Sequence, residues 1–277
     1  MCVCTYLIVV AGSYKSVQAD EGTTVFNEVR VEKLISHIYN QIDFGKCDRL
    51  NYEAFNKAYR GYLNLRAAGK INADKEILSV CDFSLPSTQN RLWIIDLSKK
   101  EVVFNTFVAH GQGSGEEYAA AFSNSFNSHQ SSLGFYVTAD TYSGEHGTSL
   151  HLVGMDEGFN DAAYDRGIVV HGADYVCQKF VNENQKLGRS WGCPAVPSRL
   201  SLPIINTIKD GTCLFIYYPD NKYLNTAYWL NKKVVNLPQD ALLADATASD
   251  MAKPKMREIQ YITNGKIDSV KLMPVVR

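Results

Sequence analysis

Apolar residues recur at helical spacing near the start of the chain, and short apolar runs follow after residue 69. Residues 24–44 and 51–69 place apolar side chains three or four positions apart, which predicts two helices. Later runs rich in Val, Ile, Leu and aromatic residues are bounded by polar turns, which predicts strands. The predicted strands cover residues 76–80, 91–97, 101–104, 134–138, 149–153, 167–170 and 213–218. The pattern indicates a β-rich α+β fold preceded by a two-helix N-terminal segment.

The two ends of the chain differ from this middle part. Residues 1–19 hold an apolar stretch followed by Val17-Gln18-Ala19, which is typical of a signal peptide and indicates export to the periplasm or cell envelope. No Lys or Arg precedes the stretch, so a short buried strand or helix stays open as an alternative. Near the other end, Asn264-Gly265 is a strong hairpin turn. We divide the chain into a signal peptide (1–19), a helical segment (20–72), a β-rich domain (73–220) and a linker with a C-terminal β-hairpin (221–277).

Charge and composition argue against several classes of partner. The 28 Lys plus Arg and 29 Asp plus Glu give a net charge of -1, which argues against nucleic acid as a partner. No apolar run after the signal reaches the ~20 residues of a membrane span, so we expect no stable span after signal removal. The chain has no zinc-type CxxC pair and no phosphate-binding glycine loop, so we expect no metal and no cofactor.

The cysteine count indicates one free thiol. Seven cysteines are present, and removal of residues 1–19 would leave five: Cys47, Cys81, Cys177, Cys193 and Cys213. An odd number in an oxidising compartment suggests an unpaired thiol, which suits a nucleophile. The other four form either disulfides or buried thiols. We favour buried thiols because no two of them are close in sequence.

Two motifs carry the candidate chemistry. Residues 167–173 form an apolar predicted strand that ends in His171-Gly172, and residues 188–197 read Gly-Arg-Ser-Trp-Gly-Cys-Pro-Ala-Val-Pro. A thiol attacks a carbonyl as the thiolate, and a free Cys has a pKa of about 8.5, so it needs a neighbour that takes its proton. A histidine does this. On residue types alone, an inert buried Cys193 and a structural His171 stay open.

These motifs resemble the murein L,D-transpeptidase catalytic domain family, whose signature is a strand ending in His-Gly and a downstream Ser-x-Gly-Cys loop. Val108-Ala109-His110-Gly111, residues 131–136 and His146-Gly147-Thr148 are similar to further landmarks of this family. The nucleophile loop matches the branch with Gly-Arg-Ser-Trp-Gly-Cys-Pro-Ala-Val. Better-studied members have His-Gly-Cys and a following Asn or Arg, where this chain has Trp191 and Ala195.

The resemblance implies an L,D-transpeptidase-type β-fold over residues 73–220 and acyl transfer on peptidoglycan stem peptides. Cys193 would attack the diamino-acid carbonyl of a stem tetrapeptide, expel terminal D-alanine and hold a thioester. His171 would act as base and later as acid, Gly192 and Cys193 amides would bind the oxyanion, and Ser190 would support the loop. The predicted substrate-binding residues are Arg189, Gly172, Trp191 and His110.

Three outcomes stay open at this level. Attack on the thioester by an amine would give a cross-link, whereas attack by water would make the protein an L,D-carboxypeptidase. A peptidoglycan-binding module without turnover is a third possibility.

The roles of several single residues also stay open. His110 and His146 either line the cleft or form structural turns. A metal site of His171, Cys193 and Cys177 is a weaker alternative, because the spacing matches no zinc pattern.

Overall fold

A computed structural model describes residues 21–234, 257–263 and 266–272 of the chain. The predicted signal peptide, residues 1–19, lies outside the described residues. The helices are α1 (Glu21–Gln41), α2 (Tyr52–Ala67), α3 (Gln178–Asn184), α4 (Ser198–Ile208), α5 (Asn221–Thr226) and α6 (Tyr228–Asn231). The strands are β1 (Ile77–Asp82), β2 (Leu92–Asp96), β3 (Glu101–Thr106), β4 (Gly134–Gly144), β5 (Gly147–Gly154), β6 (Val169–Ala173), β7 (Ala195–Pro197), β8 (Cys213–Tyr217), β9 (Arg257–Thr263) and β10 (Lys266–Leu272).

Eight strands form one mixed sheet in the order β3-β2-β1-β8-β4-β5-β6-β7. Strands β1 and β8 are parallel, as are β6 and β7, and the other neighbours in this sheet are antiparallel. The chain leaving β3 crosses to the far edge, where Ala109 N–H donates to Ala195 O of β7 at 2.8 Å. This link brings the two edges of the sheet together and sets Gly111 beside Ser190.

The two N-terminal helices pack on the sheet as one core. Asn51 caps α2 by accepting hydrogen bonds from the N–H groups of Glu53 and Ala54. Gly61 on α2 faces the Phe135 ring of β4 so closely that a Cβ there would lie 1.9 Å from ring carbon Cζ. The glycine is therefore required for this helix to reach the sheet.

The prediction of a β-rich fold with two N-terminal helices is confirmed. The sequence pattern missed the three-residue strand β7 and helices α3 to α6. It also ended β4 too early and began β5 too late, because the two strands continue as a hairpin whose outer part is polar and exposed. That extension carries His146 at its turn. Strands β9 and β10 pair with each other. The predicted turn at Asn264-Gly265 lies outside the described residues.

The cysteines in the described part of the chain are free thiols. Cys81 and Cys213 are buried in the core, and burial raises the pKa of Cys81 to about 12. Cys47, Cys177 and Cys193 are half-buried. Within the described ranges, none of the helices combines the length and apolar character that crossing a bilayer requires.

Candidate active site

The parallel pairing of β6 with β7 sets Cys193 beside the strand that carries His171. His171 lies opposite Ala195 in this ladder. Continued two residues back on each strand, the same register places Cys193 opposite Val169, and the Val169 N–H donates to Cys193 Sγ at 3.4 Å. Both Cys193 and His171 line one cleft of about 490 Å³. Backbone pairing therefore anchors the loop of Cys193 against the strand that carries His171.

The Cys193 thiol is held in its neutral form. Burial raises its pKa above the usual value, while the Val169 N–H and the Arg166 guanidinium act in the opposite direction. Its S–H points at Gly167 O, 3.7 Å away. A thiol in this state becomes nucleophilic only when a nearby base removes its proton.

His171 is neutral and has a fixed orientation. Its Nδ1 lies 2.9 Å from Gly172 O, and because a carbonyl only accepts, the proton is assigned to Nδ1. No hydrogen-bond partner of Nε2 lies among the described residues. Burial lowers the pKa of His171, and the neighbouring His146 lowers it further. The Gly172 carbonyl thus orients the ring and leaves Nε2 available to accept a proton.

Ser190 braces the loop that carries Cys193. Its Oγ donates to Cys193 O at 2.6 Å and accepts from the Gly192 N–H at 3.1 Å. Gly192 has a φ of 122°, which favours glycine, and its carbonyl accepts from Ser131 Oγ at 3.1 Å. The Gly192 amide, predicted to bind an oxyanion, is therefore occupied within the loop. No partner of the Cys193 N–H lies in the described part of the chain.

Arg189 and Trp191 both line the cleft but differ in what they contact. Arg189 Nη1 donates to Gly115 O at 3.0 Å and pairs with Glu116 Oε1 at 2.6 Å. A substrate carboxylate would have to displace Glu116 from this pair. Trp191 is 71% exposed and stacks on His129, with ring centroids 4.9 Å apart.

Gly172 and His110, both predicted to bind substrate, are not among the residues that line the cleft. A Cβ on Gly172 would lie 2.8 Å from Ser201 Oγ and 3.2 Å from Ser198 Cα, so this glycine lets α4 pack on β6. His110 is buried, accepts from Arg91 Nη2 at 2.7 Å and donates from Nε2 to Gly115 O at 3.3 Å. Its position favours the structural alternative. Burial and the adjacent Arg91 lower the pKa of His110 to about 4.

Several cleft residues were not identified from sequence. They are Tyr142, Glu145, Arg166 and Tyr175, whereas His146 lines the cleft, which is one of the two alternatives left open for it. The His146 ring stacks on His171 with centroids 4.5 Å apart, which places the turn of the β4–β5 hairpin over the cleft. The His146-Gly147 pair was visible in the sequence, but nothing in its spacing indicated contact with His171.

Arg166 organises the wall of the cleft opposite the strands. Its guanidinium donates to four groups of the long loop before β4: Ser123 O, Ser128 Oγ, Gln130 O and Ser132 Oγ. The charge is thus held near Cys193 and opposes the increase in its pKa. In sequence, Arg166 shows only as a charged residue just before Gly167.

The metal alternative finds no support in this geometry. Among the described residues, no three His, Cys, Asp or Glu side chains are grouped so that they could hold a metal ion. Cys177 lines a different cavity, of about 320 Å³, together with Arg199 and residues after β3.

Solved structures with a similar chain path include three L,D-transpeptidases. The enzyme from Mycobacterium smegmatis is 11% identical, with 52% of this chain and 59% of that chain covered and a TM-score of 0.33. L,D-transpeptidase 3 from Mycobacterium tuberculosis is 11% identical, with 52% and 61% covered and a TM-score of 0.33. The L,D-transpeptidase from Stackebrandtia nassauensis is 13% identical, with 69% and 92% covered and a TM-score of 0.30. The chain spans about three fifths of the length of the first two.

Sequence comparison gives the family directly. Among curated proteins, none matches the chain at a significant level. The sequence model described as the L,D-transpeptidase catalytic domain matches residues 46–217, which is more than half of the 277 residues. The match includes both His171 and Cys193. The chain therefore belongs to the family of L,D-transpeptidase catalytic domains.

Proposed function

We propose that the protein is a cysteine-dependent acyltransferase that acts on peptidoglycan stem peptides. The observation that carries this proposal is the pairing of β6 with β7, which sets the Cys193 thiol and a neutral His171 with an available Nε2 in one cleft. Family membership supplies the substrate class. The predicted signal peptide and a substrate in the cell envelope together imply export.

Acylation begins when the Cys193 S–H turns from Gly167 O and transfers its proton to His171 Nε2. The thiolate attacks the diamino-acid carbonyl of a stem tetrapeptide, and the C–S bond forms as the carbonyl π electrons move to oxygen. The Cys193 N–H is the loop donor available to this oxyanion, and one such donor contributes about 3 kcal/mol in comparable sites. Collapse breaks the C–N bond, and the leaving D-alanine amine takes the proton from His171.

Transfer of the acyl group repeats these steps in reverse order. An acceptor amine attacks the thioester, His171 takes the amine proton, and the thiolate leaves and recovers that proton. The product is a new amide bond and free enzyme. Water as the acceptor gives a tripeptide instead, by the same residues, which is the L,D-carboxypeptidase alternative.

The proposal is tested by incubating the purified protein with disaccharide tetrapeptide and following D-alanine and muropeptides by mass spectrometry. We expect D-alanine release that Cys193→Ala reduces by at least about a thousandfold. Cys177→Ala is the matched control, since it removes another half-buried free thiol outside the cleft.

The products separate the alternatives. Cross-linked dimers mean transpeptidation, and tripeptide alone means hydrolysis. If the wild-type protein releases no D-alanine yet binds the substrate, the binding-module alternative replaces the proposal. Equal loss in Cys193→Ala and Cys177→Ala would remove Cys193 from its role as nucleophile.

A further inference from the structure

An exposed aromatic pair lies directly beside the nucleophile. The Trp191 ring is nearly parallel to that of His129, with an interplanar angle of 6°. His129 is itself fixed, because Gln112 Nε2 contacts its Nδ1 at 2.9 Å. One face of the indole is thus supported, and at 71% exposure the rest of the ring is open to solvent two residues from Cys193. A large apolar side chain held this way offers a ready contact surface.

The loop beneath this pair has an unusual composition. Residues 118–133 contain no Asp, Glu, Lys or Arg, although 21% of the chain is charged. The segment instead holds five serines, two asparagines and a glutamine, and it exposes Tyr118 and Phe126. It also contacts the nucleophile loop, since Ser131 Oγ donates to Gly192 O. The loop that supports Trp191 therefore offers aromatic faces, amides and hydroxyls and has no Asp, Glu, Lys or Arg side chain of its own.

This surface fits a neutral polyhydroxylated ligand. No side chain of this loop offers an opposite charge to an anionic or cationic group placed here, and the Arg166 guanidinium beside it directs its Nη1 and Nη2 at acceptors of the loop itself. A purely apolar ligand would bury amide and hydroxyl groups without partners. A pyranose ring satisfies both conditions, because its axial C–H groups stack on an aromatic face while its hydroxyl and acetamido groups form hydrogen bonds at the edge.

We propose that Trp191 and His129, with the loop of residues 118–133, bind a sugar ring of the glycan that carries the stem peptide. This inference rests on the proposed function and deepens it, since it makes the glycan a determinant of substrate choice. The Trp191 position beside Cys193 would hold the sugar while the attached peptide reaches the thiol.

The first test is a selectivity ratio. We measure kcat/KM for disaccharide tetrapeptide and for the free tetrapeptide, and we expect Trp191→Ala to lower the ratio of the two on the order of tenfold. Trp191→Phe should lower the ratio less than Trp191→Ala does, because phenylalanine keeps an aromatic face. Tyr228→Ala is the matched control, since Tyr228 is 59% exposed but does not line the cleft.

The ratio distinguishes a sugar contact from damage to the loop. A misplaced Cys193 would lower kcat/KM for both substrates equally and leave the ratio unchanged, and that result would overturn the proposal. A drop in the ratio for Tyr228→Ala as large as for Trp191→Ala would overturn it as well.

A binding experiment keeps the inference separate from the acyl-transfer proposal. Trp93 and Trp229 are 1% and 8% exposed, whereas Trp191 is 71% exposed. A ligand that binds at the surface therefore quenches mainly the fluorescence of Trp191. If neither peptide substrate turns over, Cys193→Ala protein is titrated with N-acetylglucosamine oligosaccharides. Saturable quenching that disappears in Cys193→Ala/Trp191→Phe would support the sugar subsite although the proposed function had failed. Absence of quenching would overturn the subsite too.

Discussion

His171 and His110 both stand before a glycine in an apolar context, yet the structure gives them opposite tautomers. In His171 the proton lies on Nδ1, which donates to Gly172 O, and Nε2 is left toward the cleft. In His110 the Nδ1 accepts from Arg91 and Nε2–H donates to Gly115 O, so both nitrogens are used. The neighbours, rather than the His-Gly dipeptide, decide whether an imidazole can take a proton.

The comparison also separates two consequences of a lowered pKa. Both rings resist protonation because they are buried. For His171 this keeps a neutral base beside a thiol. For His110 it preserves a hydrogen bond to Arg91, whose own pKa burial lowers to about 9. In the proposed function the first effect bears on turnover, and the second bears on folding.

Replacing the imidazole of His171 and that of His110 is the strongest test of their different roles. We expect His171→Gln to reduce D-alanine release by about 10³- to 10⁴-fold, because the proton acceptor is lost. His110→Gln should keep most of the activity per folded molecule. Single-turnover rates at equal folded concentration, checked by circular dichroism, measure both. Comparable losses in the two variants would contradict the division of roles.

The stability of the fold, in contrast to the activity, should depend on His110. His110→Ala leaves the Arg91 guanidinium with one partner fewer in a fully buried site, and we expect a loss of about 3 kcal/mol in the free energy of unfolding. His37→Ala, on the exposed face of α1, serves as control and should change it by less than about 0.5 kcal/mol. Urea unfolding gives both values. A loss below about 1 kcal/mol for His110→Ala would mean that Arg91 finds another acceptor.

Acid should destabilise the protein through His110. Its pKa is about 4 when folded and about 6.5 when unfolded, so between these values the unfolded chain binds the extra proton. This contribution to stability is complete above pH 6.5 and is lost as the pH falls toward 4. We expect about 2 kcal/mol less stability at pH 5 than at pH 7 from this residue. The difference should be absent in His110→Gln, as measured by urea unfolding at the two pH values.

The smallest expected effect concerns His146, which stacks on His171 and lowers its pKa. His146→Phe keeps an aromatic ring and removes the titrating group. The pKa of His171 should rise, so the acid limb of the profile of kcat/KM against pH should move to higher pH. A limb that does not move would show that His146 acts on His171 only by packing.

The sequence predicted the parts of the site that depend on local pattern. His171 at the end of an apolar strand and Cys193 in a glycine turn were both identifiable, since each motif is short and contiguous. The contact of His146 with His171 was not, because it depends on how far the β4–β5 hairpin extends. The hydrogen bond of the Gly192 N–H to Ser190 Oγ was not predictable either. The two residues are close in sequence, but the geometry of the turn decides whether they bond.

The fold follows the same division. Strand and helix periodicity located α1, α2 and seven strands, since each has a clear apolar face. The sequence pattern missed β7, because a strand of three residues is too short to show an alternation of apolar and polar positions. Yet β7 is the strand that fixes Cys193, through a ladder with β6 and a link from Ala109. The most informative contact for function was therefore among the least visible in the sequence.

The β6–β7 ladder also bears on how such a chain can diversify. Since the β6–β7 ladder anchors both ends of the excursion between these strands, residues 174–194, and Ser190 braces its end at Cys193, the rest of the excursion has a small part in the separation of thiol and imidazole. It can lengthen, shorten or change composition while the reacting pair keeps its geometry. Arg189 and Trp191 both lie on that excursion. Substrate preference can thus evolve on one segment while the ladder that carries His171, and that begins two residues after Cys193, stays unchanged.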